Sequence, residues 1–288
     1  MLRQRLITGA LLIAALLGLA WLDTQLPIWR TDWGRIGPGF VLALAVIVII
    51  APLMAREMAA LTRGGSPVVH ALAIIGGALA IFLPRTPEQC FFTYPYAFMG
   101  IAALMLLSAT LHARKPSCDG AARAIAGPLA SLALVGIPLG FWLLLRREHE
   151  AWTLAGAILC VKVSDIGAYF TGKAIGRRKL IPRLSPGKTW EGFLGGLIAG
   201  TVFGALLGLA SQQAVAGDEF IEPISTTRGA IAGLCFAVVG VAGDLLESML
   251  KRDAGVKDSG AILPGMGGIF DVLDSLLLAG PVAWWLLS

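Results

Sequence analysis

Charge is scarce in this sequence. Asp, Glu, Lys and Arg make up only 14% of its 288 residues, where a soluble domain carries about 25%. That shortage argues against a large water-facing core domain. No basic stripe is interleaved with aromatics, so nucleic-acid binding is excluded as well. Cysteine is also rare. Cys90, Cys118, Cys160 and Cys235 show no metal-ligand spacing, which leaves neither a zinc site nor a disulfide framework. His70, His112 and His149 stand apart in the sequence near expected loop ends and receive no role. No serine has a local His/Asp partner, so nothing points to a hydrolase.

What is abundant is apolar residue, at 57%. It comes in runs near the length that crosses a bilayer, about 20 residues. The runs predict helices at 6–22, 37–54, 70–84, 95–111, 127–145, 151–170, 190–210, 228–249 and 269–288. They lack the period-two alternation of strands, and an open sheet would leave backbone groups unpaired in lipid. The expected fold is therefore all-α, a polytopic membrane protein of about nine transmembrane helices. Residues 1–150 hold helices one to five. Residues 151–288 hold helices six to nine and the chemistry, within one membrane unit. The first run follows Arg3 and Arg5, but it is long for a signal peptide and has no clean cleavage site.

Positive charge orients this layout. Of 23 Lys and Arg, Lys162 falls within a helix. With the N-terminus in the cytoplasm, six fall in outer loops: Arg30, Arg35, Arg85, Arg146, Arg147 and Arg228. The other sixteen, Lys115 among them, fall on the cytoplasmic side. This bias supports nine spans with the C-terminus outside. On helix seven Gly192, Gly196, Gly200, Gly204 and Gly208 recur every four residues and form one smooth stripe, which lets a neighbouring backbone come close.

Ionisable residues gather in the second half. Lys162, Asp165 and Tyr169 are expected near the end of helix six, and Glu191 at the start of helix seven. Asp244, Glu247, Ser248 and Lys251 end helix eight, and Asp271, Asp274 and Ser275 open helix nine. The first five spans hold almost no such groups. An ionised side chain at the bilayer centre costs about 2.5–3.5 kcal/mol on insertion scales. Acids set into helices therefore need partners, and Lys162 and Lys251 can serve some of them. Asp244 and Glu247 are spaced i, i+3, with Ser248 at i+4; Asp271, Asp274 and Ser275 repeat that spacing. Two such faces offer hard oxygen ligands, which suit Mg²⁺ shared with waters and phosphates. On spacing alone, an ion-pair network or a proton relay fits as well.

The linkers are suited to phosphate. Lys251-Arg252 and Lys257-Asp258 precede the glycine-rich Pro264-Gly265-Met266-Gly267-Gly268, which leads into a helix start. Free amides and a helix N-terminus favour anions. The loop after helix six adds Lys173, Arg177, Arg178, Lys179, Arg183 and Lys188, suited to lipid headgroups or a nucleotide. Gly187-Lys188-Thr189 looks like a P-loop tail, but Pro182 replaces the first glycine and no strand is expected before it.

The ordered series Ser248-Met249-Leu250-Lys251-Arg252, Lys257-Asp258 and Pro264-Gly265-Met266-Gly267-Gly268, then Asp271 and Asp274, resembles the phosphatidate cytidylyltransferase family. The stretch from Ser164-Asp165 to Gly196 is similar to it too. Met266 stands where the family usually has His, and Val272 where it usually has Arg. The resemblance implies transfer of a cytidylyl group from CTP to phosphatidate, giving CDP-diacylglycerol and pyrophosphate for phospholipid synthesis. It implies Mg²⁺, with room for a second cation, held by Asp244 and Asp271. Catalytic roles fall to Asp244, Asp271, Lys251 and Asp274. Substrate roles fall to Glu247, Ser248, Lys257, Asp258, Asp165 and Lys188. The topology read from the charge bias puts the acidic helix ends at the cytoplasmic face of the cell membrane, in contact with membrane lipids, and the resemblance adds a homodimer as one available assembly. Rival readings are a relative acting on another lipid phosphate, and a transporter or proton relay. A transferase consuming a CDP-lipid is set aside, because Ser275 follows Asp274 where its motif needs Gly.

Overall fold

The computed structural model describes residues 2–25, 30–31, 34–35, 39–83, 87–114, 116–214 and 223–288. Residues 37 and 38 of the second expected helix, residue 84 of the third, and Arg85 and Lys115 of the charge count lie outside them.

Each apolar run folds as helix, because a helix satisfies its own backbone within lipid. In chain order these are α1 (Leu2–Gln25), α2 (Phe40–Thr62), α3 (Pro67–Phe82), α4 (Pro87–His112) and α5 (Ala121–Glu148). Then follow α6 (Ala151–Ile175), α7 (Trp190–Ala214), α8 (Thr226–Asp253) and α9 (Phe270–Leu287). Among the described residues six helices are long and apolar enough to cross a membrane: α2, α5, α6, α7 as far as Gln213, α8 and α9. Pro67–Phe82 and Met99–His112 are shorter apolar helices. The protein is thus a nearly all-helical, multi-pass membrane protein. Wider π-type turns occur at Val46–Ile50, beside Pro52, and at Leu132–Gly136, between Pro128 and Pro138. A missing proline N–H and a crowding ring disturb the regular ladder at such places.

Three expectations need correction. Helix α6 runs to Ile175, so Lys162 and Asp165 lie near its middle, not its end. Arg146 and Arg147 belong to the last turn of α5 and not to a loop. Strands do occur, as two short antiparallel hairpins: β1 (Arg30–Thr31) with β2 (Gly34–Arg35), and β3 (Lys179–Ile181) with β4 (Ser185–Thr189). A strand therefore precedes Gly187-Lys188-Thr189, and these residues themselves lie in β4. They are extended, not wrapped as a phosphate loop. The segment is polar and bends at Ile181–Leu184, so it pairs with itself.

The chain forms two compact units. One comprises Met1–Glu148 and Leu250–Leu273; the other comprises His149–Met249 and Asp274–Ser288. In the first unit, Asp23 at the end of α1 forms an ion pair with Arg146, 2.9 Å from its Nε, and accepts from the amides of Gly39 and Val41. Its charge thereby also faces the exposed amides at the start of α2. His70 is fully buried in α3 between Ser131 Oγ, at 2.6 Å, and the Gly64 carbonyl, at 2.7 Å. Its role is structural.

In the second unit the glycine stripe of α7 does what its spacing predicts. A Cβ at Gly196 would press on Ser164 and Ala168 of α6. One at Gly200 would come within 2.6 Å of the Gly233 carbonyl of α8, and one at Gly208 within 2.7 Å of the Ser225 carbonyl. Gly204 faces Gly229 in the same way. The helices meet backbone to backbone, the arrangement that small residues permit in lipid.

Candidate functional site

In the second unit, the lower half of α8 meets the start of α9 at Gly243. A side chain at Gly243 would collide with the Asp274 carbonyl. This close approach brings carboxylate oxygens of Asp244, Glu247 and Asp274 within 4.8 Å of one another. Glu247 is buried at 2% exposure, while Asp244 and Asp274 are partly exposed. Three like charges at this separation repel strongly unless a cation or protons intervene. The set is all hard oxygen, which suits a hard divalent cation. The residues present therefore fit a metal.

Basic and hydroxyl groups surround these acids. Lys188 Nζ, from β4, lies 2.8 Å from Asp244 Oδ2 and donates to the Val241 carbonyl at 3.2 Å. Ser248 Oγ stands 3.5 Å from Asp244 Oδ1. Lys162 Nζ donates to Ser275 Oγ at 2.9 Å and lies 3.5 Å from Asp165. Ser275 Oγ in turn donates to Asp165 Oδ2 at 2.9 Å. Lys162 and Asp165 of α6 are thus joined to Ser275 of α9, whereas Ser164 turns to α7 and donates to the Gly196 carbonyl at 3.1 Å. Glu191 opens α7 and accepts from the amides of Arg177 and Arg178, which holds the basic segment to its hairpin.

In the first unit, Asp271 is the centre of a second arrangement. Its Oδ1 accepts from Lys251 Nζ at 2.8 Å. Its Oδ2 faces the Gly268 amide at 2.7 Å, the Ser259 amide at 2.9 Å and Ser259 Oγ at 3.0 Å. The glycine-rich turn closes through Leu263 and Gly267, whose amides and carbonyls exchange bonds. Gly265 and Gly267 have φ of +78° and +99°, which only glycine adopts at little cost. At Gly267 a Cβ would also strike the Asp271 carboxylate. Lys257 and Asp258 are exposed in the loop that leads to this turn.

Asp244 and Asp274 therefore stand together with Glu247 in one unit, and Asp271 with Lys251 in the other. One group was not singled out by the sequence. Glu57, in α2, is 4% exposed. Its Oε1 accepts from the Ile269 amide at 2.9 Å, and its Oε2 from the Phe270 amide at 2.8 Å and from Ser259 Oγ at 2.9 Å. The first helices are therefore not free of functional-looking acids. The available signal was a glutamate, next to Arg56, in the otherwise apolar stretch Ala51 to Leu61, where a charge demands a partner in lipid.

Comparison with known proteins agrees with this chemistry. The family model described as Cytidylyltransferase family matches residues 3–288. A phosphatidate cytidylyltransferase of Mycobacterium leprae is 30% identical over 236 residues, which is 75% of this chain and 69% of that protein. A phosphatidate cytidylyltransferase of Haemophilus influenzae is 43% identical over 133 residues, 46% of this chain and 44% of that protein. An Escherichia coli protein named only "Uncharacterized protein YnbB" is 36% identical over 178 residues, 53% of this chain and 56% of that protein. The chain thus spans about half the length of several of the curated relatives it matches. With the family matched along nearly its whole length, this chain belongs to the cytidylyltransferase family.

Proposed function

We propose that this protein transfers a cytidylyl group from CTP to phosphatidate, yielding CDP-diacylglycerol and pyrophosphate. The observation that carries the reading is the convergence of Asp244, Glu247 and Asp274 in a chain of this family. The named relatives that are phosphatidate cytidylyltransferases supply the substrate class.

An oxygen of the lipid phosphate attacks the α-phosphorus of CTP, and the bond to the β,γ-diphosphate breaks. The nucleophile is ionised near neutral pH, so the step asks for positioning and charge neutralisation rather than a strong base. Asp244, Glu247 and Asp274 would hold Mg²⁺, which when bound supplies charge neutralisation at the phosphate oxygens. The matching motif gives Asp271 a ligand's role as well; within the first unit its carboxylate is held by Lys251, Ser259 and Gly268. Lys251 and Lys257 are positioned by sequence to meet phosphate charge. Asp258, Ser248, Asp165 and Lys188 take the substrate roles of the matching motif. Lys188, beside Asp244, adds positive charge at the acids' edge.

In this reading all nine helices enter the bilayer, with the N-terminus and the acids on the cytoplasmic side of the cell membrane. CTP then arrives from water while the acyl chains stay in lipid. The decisive assay incubates the purified protein with labelled CTP, Mg²⁺ and phosphatidate in mixed micelles. Formation of labelled CDP-lipid with release of pyrophosphate supports the reading. Product only with a different lipid phosphate would move the substrate, and no nucleotidyl transfer to any lipid phosphate would overturn it. In the same assay Asp271→Asn is expected to abolish product while the protein still inserts.

A further inference from the structure

We propose that Glu57 is a positioning residue for the glycine-rich turn, acting on Asp271 through Ser259. The inference rests on the transferase reading for its catalytic consequence, but the bracing itself rests on geometry alone.

Glu57 lies on α2, about 200 residues before the turn it contacts. Its two carboxylate oxygens face three donors: the amides of Ile269 and Phe270 and the hydroxyl of Ser259. The two amides sit at the very start of α9, Ile269 just before it and Phe270 its first residue, where N–H groups have no intrahelical partner and a negative charge is favoured. Ser259 Oγ stands between carboxylates, 2.9 Å from Glu57 and 3.0 Å from Asp271. The Ser259 amide also donates to Asp271. Glu57 therefore fixes the position of Ser259, and Ser259 helps fix the carboxylate of Asp271.

Two glycines of the segment report the same constraint. A Cβ at Gly260 would come within 2.9 Å of Glu57 Oε1, and one at Gly268 within 2.5 Å of Glu57 Oε2. The glutamate thus occupies part of the space that a side chain at either glycine would need, with Ser259 Oγ closer still at Gly268. Arg63, at the end of the same helix, donates to the Ala254 carbonyl at 2.5 Å. Helix α2 therefore grips this loop at two places. Three hydrogen bonds to a buried carboxylate are more than helix capping alone requires, and they are aimed at the residues that order Asp271.

The test is Glu57→Gln in the full-length protein in detergent, read by hydrogen exchange and by steady-state kinetics. Exchange at the amides of residues 259–271 is expected to rise about tenfold or more, with α3 and α5 unchanged. In the kinetic arm, kcat is expected to fall at least tenfold and the Mg²⁺ concentration for half-maximal rate to rise. The KM for phosphatidate is expected to stay within about twofold. A merely structural role would lower the active fraction without moving the Mg²⁺ dependence. Glu57→Asp retains the charge but withdraws it by one methylene; it serves if the glutamine variant fails to insert, and partial recovery of rate is expected. Unchanged exchange in the turn overturns the bracing. Raised exchange with unchanged kcat and Mg²⁺ dependence overturns the catalytic role. If the wild-type protein itself transfers nothing, the transferase reading fails, while exchange still decides whether Glu57 holds the turn.

Discussion

Asp23 and Arg146 illustrate how single residues carry structure here. They meet at 2.9 Å with side chains 2% and 7% exposed. Removing Asp23 takes its carboxylate away from a buried guanidinium. Asp23→Ala is expected to cost about 3–5 kcal/mol, the usual penalty for breaking a buried pair, read as a lower thermal midpoint in detergent. A midpoint equal to wild type would mean that Arg146 finds water or a phosphate instead. Within the acid group, charge matters more than shape. Asp244→Asn and Asp274→Asn keep volume and hydrogen bonding but remove one negative charge each. Both are expected to lower kcat by about a hundredfold or more, the scale for losing one electrostatic stabiliser. Mn²⁺ binding, followed by electron spin resonance, should weaken in parallel. Unaltered Mn²⁺ binding in both would remove the cation from this trio.

At the scale of elements, the glycine stripe of α7 gives the sharpest contrast. Gly200 and Gly233 touch through their backbones, so a Cβ at either must push α7 and α8 apart. Gly200→Ala is expected to destabilise by about 1–3 kcal/mol, as overpacking usually does. Gly76, in α3, has nothing within 4 Å of its Cβ position. Gly76→Ala is expected to leave the midpoint unchanged or to raise it, since alanine is the better helix former by about 1 kcal/mol. Thermal unfolding of the two variants side by side separates packing from propensity. If both behave alike, the stripe is not a packing surface. The stripe was legible in sequence because its four-residue period matches a helical turn. The length of α6 was not. Polar Lys162, Ser164 and Asp165 suggest a helix approaching its end, yet Lys162 and Asp165 meet Ser275, Ser164 bonds the α7 backbone at Gly196, and the helix continues to Ile175.

At the scale of the whole molecule, orientation and metal dependence can be read directly. Cys118 is exposed in the segment between α4 and α5, which the charge bias places in the cytoplasm. In a variant keeping Cys118 alone, a membrane-impermeant maleimide is expected to label inverted vesicles and not intact cells. The reverse pattern would invert the topology and move the acids to the outer face. Chelation with EDTA is expected to abolish transfer, and added Mg²⁺ to restore it, without unfolding the protein.

Residue pattern alone determined the helical, multi-pass character, since long apolar runs in lipid must satisfy their own backbone. It determined the glycine face of α7 and picked out most of the acids, because a charge inside an apolar run is conspicuous at any distance from its partner. It did not reveal the companions of each acid. Only the tertiary structure decided that Asp274 joins Asp244 and Glu247, that Asp271 is held by Lys251 and Ser259, and that Glu57 reaches the turn before α9. The physical reason is that helical periodicity specifies which side of a helix a residue occupies. Which helix lies opposite depends on close packing between segments far apart in the chain.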